Sequence, residues 1–294
     1  MNYIKIWRDY KIIGVNFLSH YSVLVLSDED TEVDGLLAPF NENISVKPYI
    51  KYTKEELIAH EKEEIREYKK GKYAEFLADP EGYKEKHKDY PDHLRYIEFE
   101  FPKKLHWTDA RIYKEAIRFY SPEEITEDGS IISTYNPKSK WDWYVEGGRF
   151  SGLLKLKTSE EGGPQFVDSA YADEIDFSPN EDEYKHAIRF WELFIEDDAP
   201  KNEEEVEMKN CFYRKEYFLS RYASKEDYAK KVSSFSTWAV LTPNGIWHEP
   251  GQMGWFGCHS ATTEEEIEFF NTYNRFIEEA QKNNWLVTVV DCHI

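Results

Sequence analysis

Apolar residues recur along this chain with periods that mark out its elements. His20 to Leu26 (HYSVLVL) is a β-branched run ended by the acidic turn Asp28-Glu29-Asp30, which predicts a buried strand. The stretch LLAPFNENISVKPY that follows reads as loop. Thr53 then opens T-K-E-E, with Glu56 three residues after a capping threonine, so a helix is expected from there to about Ala78. Asp79-Pro80-Glu81-Gly82 breaks it, and short helices are expected as far as Phe101. Thr108 caps a further helix bearing Ile112, Ala116, Ile117 and Tyr120, and Ser121-Pro122-Glu123-Glu124 repeats the capping signal with proline at the first helical position.

Two hairpins are predicted next. In residues 135 to 157 two alternating runs flank Gly147-Gly148, a two-residue turn that sets Glu146 opposite Arg149, Val145 opposite Phe150, Trp143 opposite Gly152 and Trp141 opposite Leu154. Asn244-Gly245 between apolar runs predicts the second hairpin over residues 236 to 249, with Pro243 weakening the pairing beside its turn. Between them, Tyr184, Ile188, Trp191 and Ile195 share a helical stripe, and residues 204 to 232 read as helical with a capping restart at Ser224. Thr262 or Thr263 starts a last helix carrying Ile267, Phe270, Tyr273 and Ile277, and WLVTVVDCHI closes the chain as a buried strand.

The order strand, helices, hairpin, helices, hairpin, helix, strand predicts an α+β fold: a mainly antiparallel sheet with a βαββαβ-like core, covered by helices. One large domain over residues 1 to 294 is expected, with a helical insertion at 54 to 128 and an acidic segment at 158 to 208. No internal repeat of solenoid length is present.

Charge changes the picture. Lys and Arg number 37 against 57 Asp and Glu, a net charge of -20, which repels phosphate backbones and disfavours direct nucleic-acid binding. The same field suits a basic partner, including the DNA-binding surface of another protein. Residues 158 to 208 hold 17 acids against Lys185, Arg189 and Lys201, an excess of 14. Cys211, Cys258 and Cys292 form no C-x-x-C pair, which argues against a disulfide framework and fits a reducing cytoplasm. The N-terminal stretch reads as neither signal peptide nor membrane span, so no membrane association is expected.

Candidate chemistry is sparse. Neither phosphate-cradling glycine motif is present, and GQMGWFG at 251 to 257 reads as a turn that lets backbone approach Trp255 and Phe256. His248, Glu249, Cys258, His259, Cys292 and His293 include zinc-compatible donors. Neighbours on a strand face opposite ways, so Cys292 and His293 are not expected on one ion, and no metal, cofactor or catalytic residue is assigned. Cys258 with His248 or His293 would make a nucleophile pair, with no local signature behind it. Trp141, Trp143, Tyr144 and Phe150 on the first hairpin bear two readings, a recognition platform with Arg149 as its anchor or core. The register puts Trp141, Trp143 and Phe150 on one face and favours core for them, leaving Tyr144 and Arg149 exposed.

Asn136-Pro137-Lys138-Ser139-Lys140-Trp141-Asp142-Trp143-Tyr144, followed by Gly147-Gly148-Arg149-Phe150, resembles a motif of bacteriophage-encoded proteins of unassigned activity. LAPFNEN at 37 to 43, YTKEELIAHEKEEI at 52 to 65 and the ending from HEPGQMGWFG through VVDCHI resemble the same proteins, with Phe150 where a tryptophan is expected. The resemblance implies a host bacterial cytoplasm and brings no catalytic residues with it. In size and charge the chain is also similar to the Gabija anti-defence proteins. The expectation is a non-enzymatic inhibitor, expected to oligomerise, that docks on a basic surface of a host defence nuclease complex and blocks DNA access. Its interface residues would be Tyr144, Arg149, Glu196, Asp197, Asp198, Glu203, Glu204 and Glu205. The alternatives are a metal-dependent hydrolase using the C-terminal Cys and His residues, and a structural or accessory component of the phage particle.

Overall fold

The computed structural model describes residues 15–16, 20–157, 163–211, 213–254 and 258–294. The turn expected at Trp255 and Phe256, and most of the stretch read for a signal peptide, lie outside them. The chain divides into two compact units, Met1–Ile44 with Asn136–Ile294, and Ser45–Tyr135. The first unit opens with β1 (Val15–Asn16) and β2 (His20–Ser27), which is buried along its whole length as its apolar run predicts. A short helix, α1 (Val33–Leu37), continues into a 3-10 turn at Ala38–Phe40 and buries Leu36, Leu37 and Phe40.

The second unit begins with β3 (Tyr49–Tyr52) and α2 (Lys54–Tyr68). Thr53 N–H donates to Glu56 Oε2 at 2.8 Å and Glu56 N–H donates to Thr53 Oγ1 at 3.2 Å, so the predicted capping box forms. The helix does not run evenly to Ala78: a π-helical stretch at Lys69–Tyr73, with non-helical Gly71, separates it from α3 (Ala74–Ala78). Short helices α4 (Pro80–Lys86), α5 (Pro91–Arg95), α6 (Phe101–Lys104) and α7 (Asp109–Ala116) follow, with Phe76, Tyr83 and Ile97 in a small aromatic core. Tyr120 falls beyond α7, and Ser121 caps only a 3-10 turn. β4 (Ile131–Ser133) pairs antiparallel with β3 and completes the unit.

Back in the first unit come β5 (Trp143–Glu146), β6 (Leu154–Lys155), β7 (Phe166–Val167) and β8 (Ser169–Tyr171). Helices α8 (Glu181–Phe194), α9 (Glu203–Met208), α10 (Lys215–Leu219) and α11 (Lys225–Ser233) follow, and then β9 (Ala239–Leu241), β10 (Trp247–His248), α12 (Thr263–Asn283) and β11 (Leu286–His293). Seven of the described strands form a mixed sheet of order β10-β9-β2-β11-β5, with β1 also on β2 and β8 also on β11, while β3-β4 and β6-β7 are separate two-stranded pairs. Only the β2–β9 pair is parallel. The α+β class and the mostly antiparallel sheet follow directly.

Strand alternation gives that sheet two different faces. Leu24, Leu26, Val240, Val287 and Val289 face α12 through Tyr273, Phe276, Ile277 and Ala280. Tyr21, Val23, Val25, Val290 and Cys292 face the other way, onto Leu36, Leu37, Phe40, Trp141 and Trp238. Trp191, Phe218, Tyr228 and Ala229 form a further core within the helices of residues 181 to 233.

The second predicted hairpin forms, with Trp247 opposite Leu241 and His248 opposite Val240. The first does not. β5 pairs with β11, placing Trp143 opposite His293 and Val145 opposite Asp291, while Leu154 and Lys155 pair with Val167 and Phe166. Gly147 and Gly148 do take positive φ, 66° and 53°, but the chain coils into a 3-10 turn at Gly148–Phe150 instead of folding straight back. The buried eight-residue β11 offers β5 a better partner than the short glycine-interrupted run after the turn. Asp168 completes the diversion by accepting Gly152 N–H at 2.6 Å and Ser151 Oγ at 3.0 Å.

Candidate functional site

His20 on β2, His293 on β11 and Trp143 on β5 are cross-strand neighbours in one register, so their side chains share a face. It is the face that α12 covers further along, at Leu24, Leu26, Val287 and Val289. At this end of the strands the apolar pattern gives way to His20, Asp291, His293 and Trp143.

Asp291 is 1% exposed. Its Oδ1 lies 2.8 Å from His20 Nδ1, and its Oδ2 accepts Arg149 N–H at 2.9 Å. Asp142 holds the second imidazole in the same manner, with Oδ1 2.8 Å from His293 Nδ1, and its own N–H donates to the His293 carbonyl. Each carboxylate therefore orients one ring through Nδ1 and leaves the Nε2 edge outside that bond. The two rings meet edge to face at 4.9 Å, and Trp143 stacks on His293 at 5.1 Å with 14° between the planes. His20 closes the triangle, edge-on to Trp143 at 5.1 Å.

Trp143 nonetheless remains 44% exposed, which overturns its expected place in the core. Trp141, two residues earlier, is buried and donates its indole N–H to the Leu37 carbonyl at 3.2 Å. Phe150 is half-buried against the α12-side core, in agreement with an inward position. Tyr144 points to the opposite face, half-buried, with its hydroxyl bonded to Asp34. Burial first, and then Asp34, pushes that phenol's pKa upward. Arg149 is exposed at the rim of the turn.

Local sequence explains how these groups are held. Asn136 Nδ2 donates to the carbonyls of Pro39 and Asn41 at 2.8 and 3.0 Å, Lys140 N–H donates to the Phe40 carbonyl at 2.8 Å, and Asn43 Nδ2 donates to the Asp142 carbonyl at 2.9 Å. The stretches 37 to 43 and 136 to 144 are thereby laced together beside β11. Lys140 also pairs with Glu249 at 2.6 Å, and that carboxylate accepts the Trp247 indole N–H at 2.8 Å.

The expected acidic interface looks different in three dimensions. Glu196 lies 3.7 Å from Lys225, Asp197 lies 2.5 Å from Lys215, and Arg189 takes Asp198 at 2.5 Å and Glu205 at 2.7 Å. Glu205 also accepts Lys201 N–H, and Arg189 first and that amide second hold its carboxyl down at about 2. The stabilisation these bonds contribute is present above the ordinary carboxylate range and is lost as pH falls toward about 2. Four of the six proposed carboxylates thus bind the chain's own cations. Glu203 and Glu204 are exposed in the first turn of α9, where acids suit the helix dipole.

The C-terminal Cys and His residues disperse. His248 lies on the Phe276 ring, His259 is 3.6 Å from Glu266, Cys258 is exposed and Cys292 is buried on the face opposite His293. Burial pushes the Cys292 thiol pKa well up. Among the described residues no group of three or more His, Cys, Asp or Glu side chains is placed to hold a metal ion. No helix among them is long and apolar enough to cross a membrane.

The fold and site define an α+β protein whose mixed sheet ends in a carboxylate-oriented histidine pair under an exposed tryptophan. No protein-family model matches the chain, and no curated protein or solved structure shows significant similarity to it.

Proposed function

We propose that the protein acts by docking on another macromolecule, with Trp143 and Arg149 at the end of the sheet as the anchor. The observation that carries this reading is Trp143 itself: a large ring, 44% exposed, whose position is set by stacking on His293 and by the backbone pairing of β5 with β11. A rigid, exposed Trp is the kind of side chain in which interface energy concentrates, because little of its freedom remains to be lost, and Arg149, exposed on the turn that follows β5, adds a second residue type enriched there. The net charge of -20 favours a basic partner surface. With the resemblance to phage-encoded proteins, the partner is a host defence nuclease complex, of Gabija type as the specific case, whose access to DNA is blocked.

The test is DNA cleavage by a purified Gabija-type complex in the presence of this protein. Wild type should inhibit, and Trp143→Ala should weaken inhibition by roughly 30-fold, the consequence of losing about 2 kcal/mol at an aromatic anchor. Its urea midpoint should stay close to wild type, since the ring is half outside the protein. Unchanged inhibition by that variant removes Trp143 from the interface. Absence of any inhibition by wild type removes the proposed partner.

One observation favours a second reading. Two imidazoles in contact, each oriented by its own carboxylate, form an arrangement able to take a proton at one Nε2 and return one from the other. Under this reading the protein hydrolyses an activated ester, and p-nitrophenyl acetate and bis-p-nitrophenyl phosphate serve as probes. Turnover should fall at least 100-fold in both His20→Asn and His293→Asn, the size expected for loss of a general acid or base. A rate indistinguishable from buffer in wild type eliminates it for these ester classes.

A further inference from the structure

A separate cavity of about 110 Å3 lies in the first unit, walled by Phe190, Tyr217, Tyr222, Phe269, Phe270 and Tyr273 from α8, the α10–α11 region and α12. Two cations line it in a chain that is otherwise strongly acidic. The Arg221 guanidinium lies 4.3 Å from the centre of the Tyr217 ring, and the Lys231 ammonium lies 5.6 Å from that of Tyr222 and 5.2 Å from that of Phe270. Arg221 binds the Thr263 hydroxyl through one terminal nitrogen and stands 3.7 Å from Glu266 through the other.

The remaining donors are the informative ones. Arg221 Nε is buried without a hydrogen-bond partner among the described residues, and so is Nε1 of Trp238, a residue 2% exposed; both residues line the cavity. Guanidinium and indole nitrogens only donate, so neither need is met by a second donor: an acceptor has to come from elsewhere. Lys231 points the same way. Burial pushes its pKa down, with Glu266 opposing and Arg221 adding to the depression, so the ammonium is held where water solvates it poorly.

We propose that this cavity binds a small planar anion, a single aromatic ring carrying one carboxylate. The aromatic walls take the ring, Arg221 and Lys231 take the charge, and the volume is of the order that holds one ring, a cavity of about 150 Å3 being known to accept benzene. Two unmet donors and two cations against the single carboxylate of Glu266 decide the sign of the ligand. This site is independent of the Trp143 platform and stands or falls without it.

Calorimetric titration of the full chain with benzoate tests the assignment, with benzyl alcohol as ring without charge and acetate as charge without ring. Benzoate should bind saturably at one site, at least tenfold more tightly than either control. Lys231→Met, which keeps the stem and removes the charge, should weaken benzoate at least tenfold while leaving the thermal midpoint at or above wild type. Arg221→Gln should weaken it to a similar extent. Absence of saturable benzoate binding overturns the proposal, as does equal affinity for benzyl alcohol, or a benzoate affinity within twofold of wild type in both variants. Binding of acetate as tight as benzoate would show an anion site without ring recognition and overturn the aromatic assignment.

Discussion

Replacing Asp291 by alanine should destabilise the protein by about 3 kcal/mol, read as a lowered urea midpoint. The carboxylate is 1% exposed and serves two donors from distant parts of the chain, His20 Nδ1 on β2 and the Arg149 amide after the Gly147-Gly148 turn. Truncation leaves the buried imidazole nitrogen with nothing to bond and partly exposes the amide to the same fate, and an unmet buried donor costs roughly 1–3 kcal/mol. Loss of the carboxylate's packing against the Gly148 backbone adds to this. Asp291→Asn should recover part of the deficit, because an amide oxygen still accepts from one donor while its NH2 faces the other. Amide exchange at Arg149 should rise in the alanine variant more than at Val287 or Val289, which keep their strand partners. A midpoint equivalent to within 0.5 kcal/mol of wild type, on the scale of an ordinary surface substitution, would mean that Asp291 does not hold this end of the sheet.

That carboxylate also shows where sequence reasoning reaches its limit. The strand ending VVDCHI was legible from its β-branched run, and alternation correctly separates Cys292 from His293. Alternation equally puts Asp291 and His293 on one face, but only the register of β2 against β11 shows that His20, 273 positions away from His293, joins them. Local periodicity carries no information on register between strands so far apart. The signal available was the break in pattern itself, a histidine opening one buried strand and an aspartate and histidine closing another.

The first hairpin failed for a related physical reason. Gly-Gly between alternating runs is a turn signal, and both glycines do adopt positive φ, but what pairs with β5 is decided by competition. β11 wins because it supplies an uninterrupted buried edge, and the apolar residues assigned to one hairpin face are divided between two cores, Leu154 in one and Trp141 in the other. Local capping was more legible, since Thr53, Thr108, Ser224 and Thr262 each cap a helix through atoms within three residues. The acidic segment was visible as composition, whereas its neutralisation by Arg189, Lys215 and Lys225 depends on how α8, α9, α10 and α11 pack.

Gly148→Ala should cost about 2–5 kcal/mol, and the coupling of that loss to Asp291 tests whether turn and histidine pair form one unit. Its φ of 53° strains any residue with a Cβ by about 1–2 kcal/mol. A Cβ placed there would also stand 2.6 Å from Asp291 Oδ2, 2.7 Å from Asp291 Cβ and 2.8 Å from Val145 Cγ1. Asp291 has little room to retreat, being buried and held at both oxygens, so the overlap should add about 1–3 kcal/mol in the manner of an overpacked core. Gly245→Ala supplies the control: its φ is 74° with nothing within 4 Å of the added carbon, so only the backbone strain remains. In the double variant Gly148→Ala with Asp291→Ala the collision with the carboxylate oxygen is gone, and the two losses should sum to less than their separate values by 1 kcal/mol or more. Strict additivity would mean that the glycine turn and the His20–Asp291 pair are independent, and the pairing of β5 with β11 would then be what sets the turn.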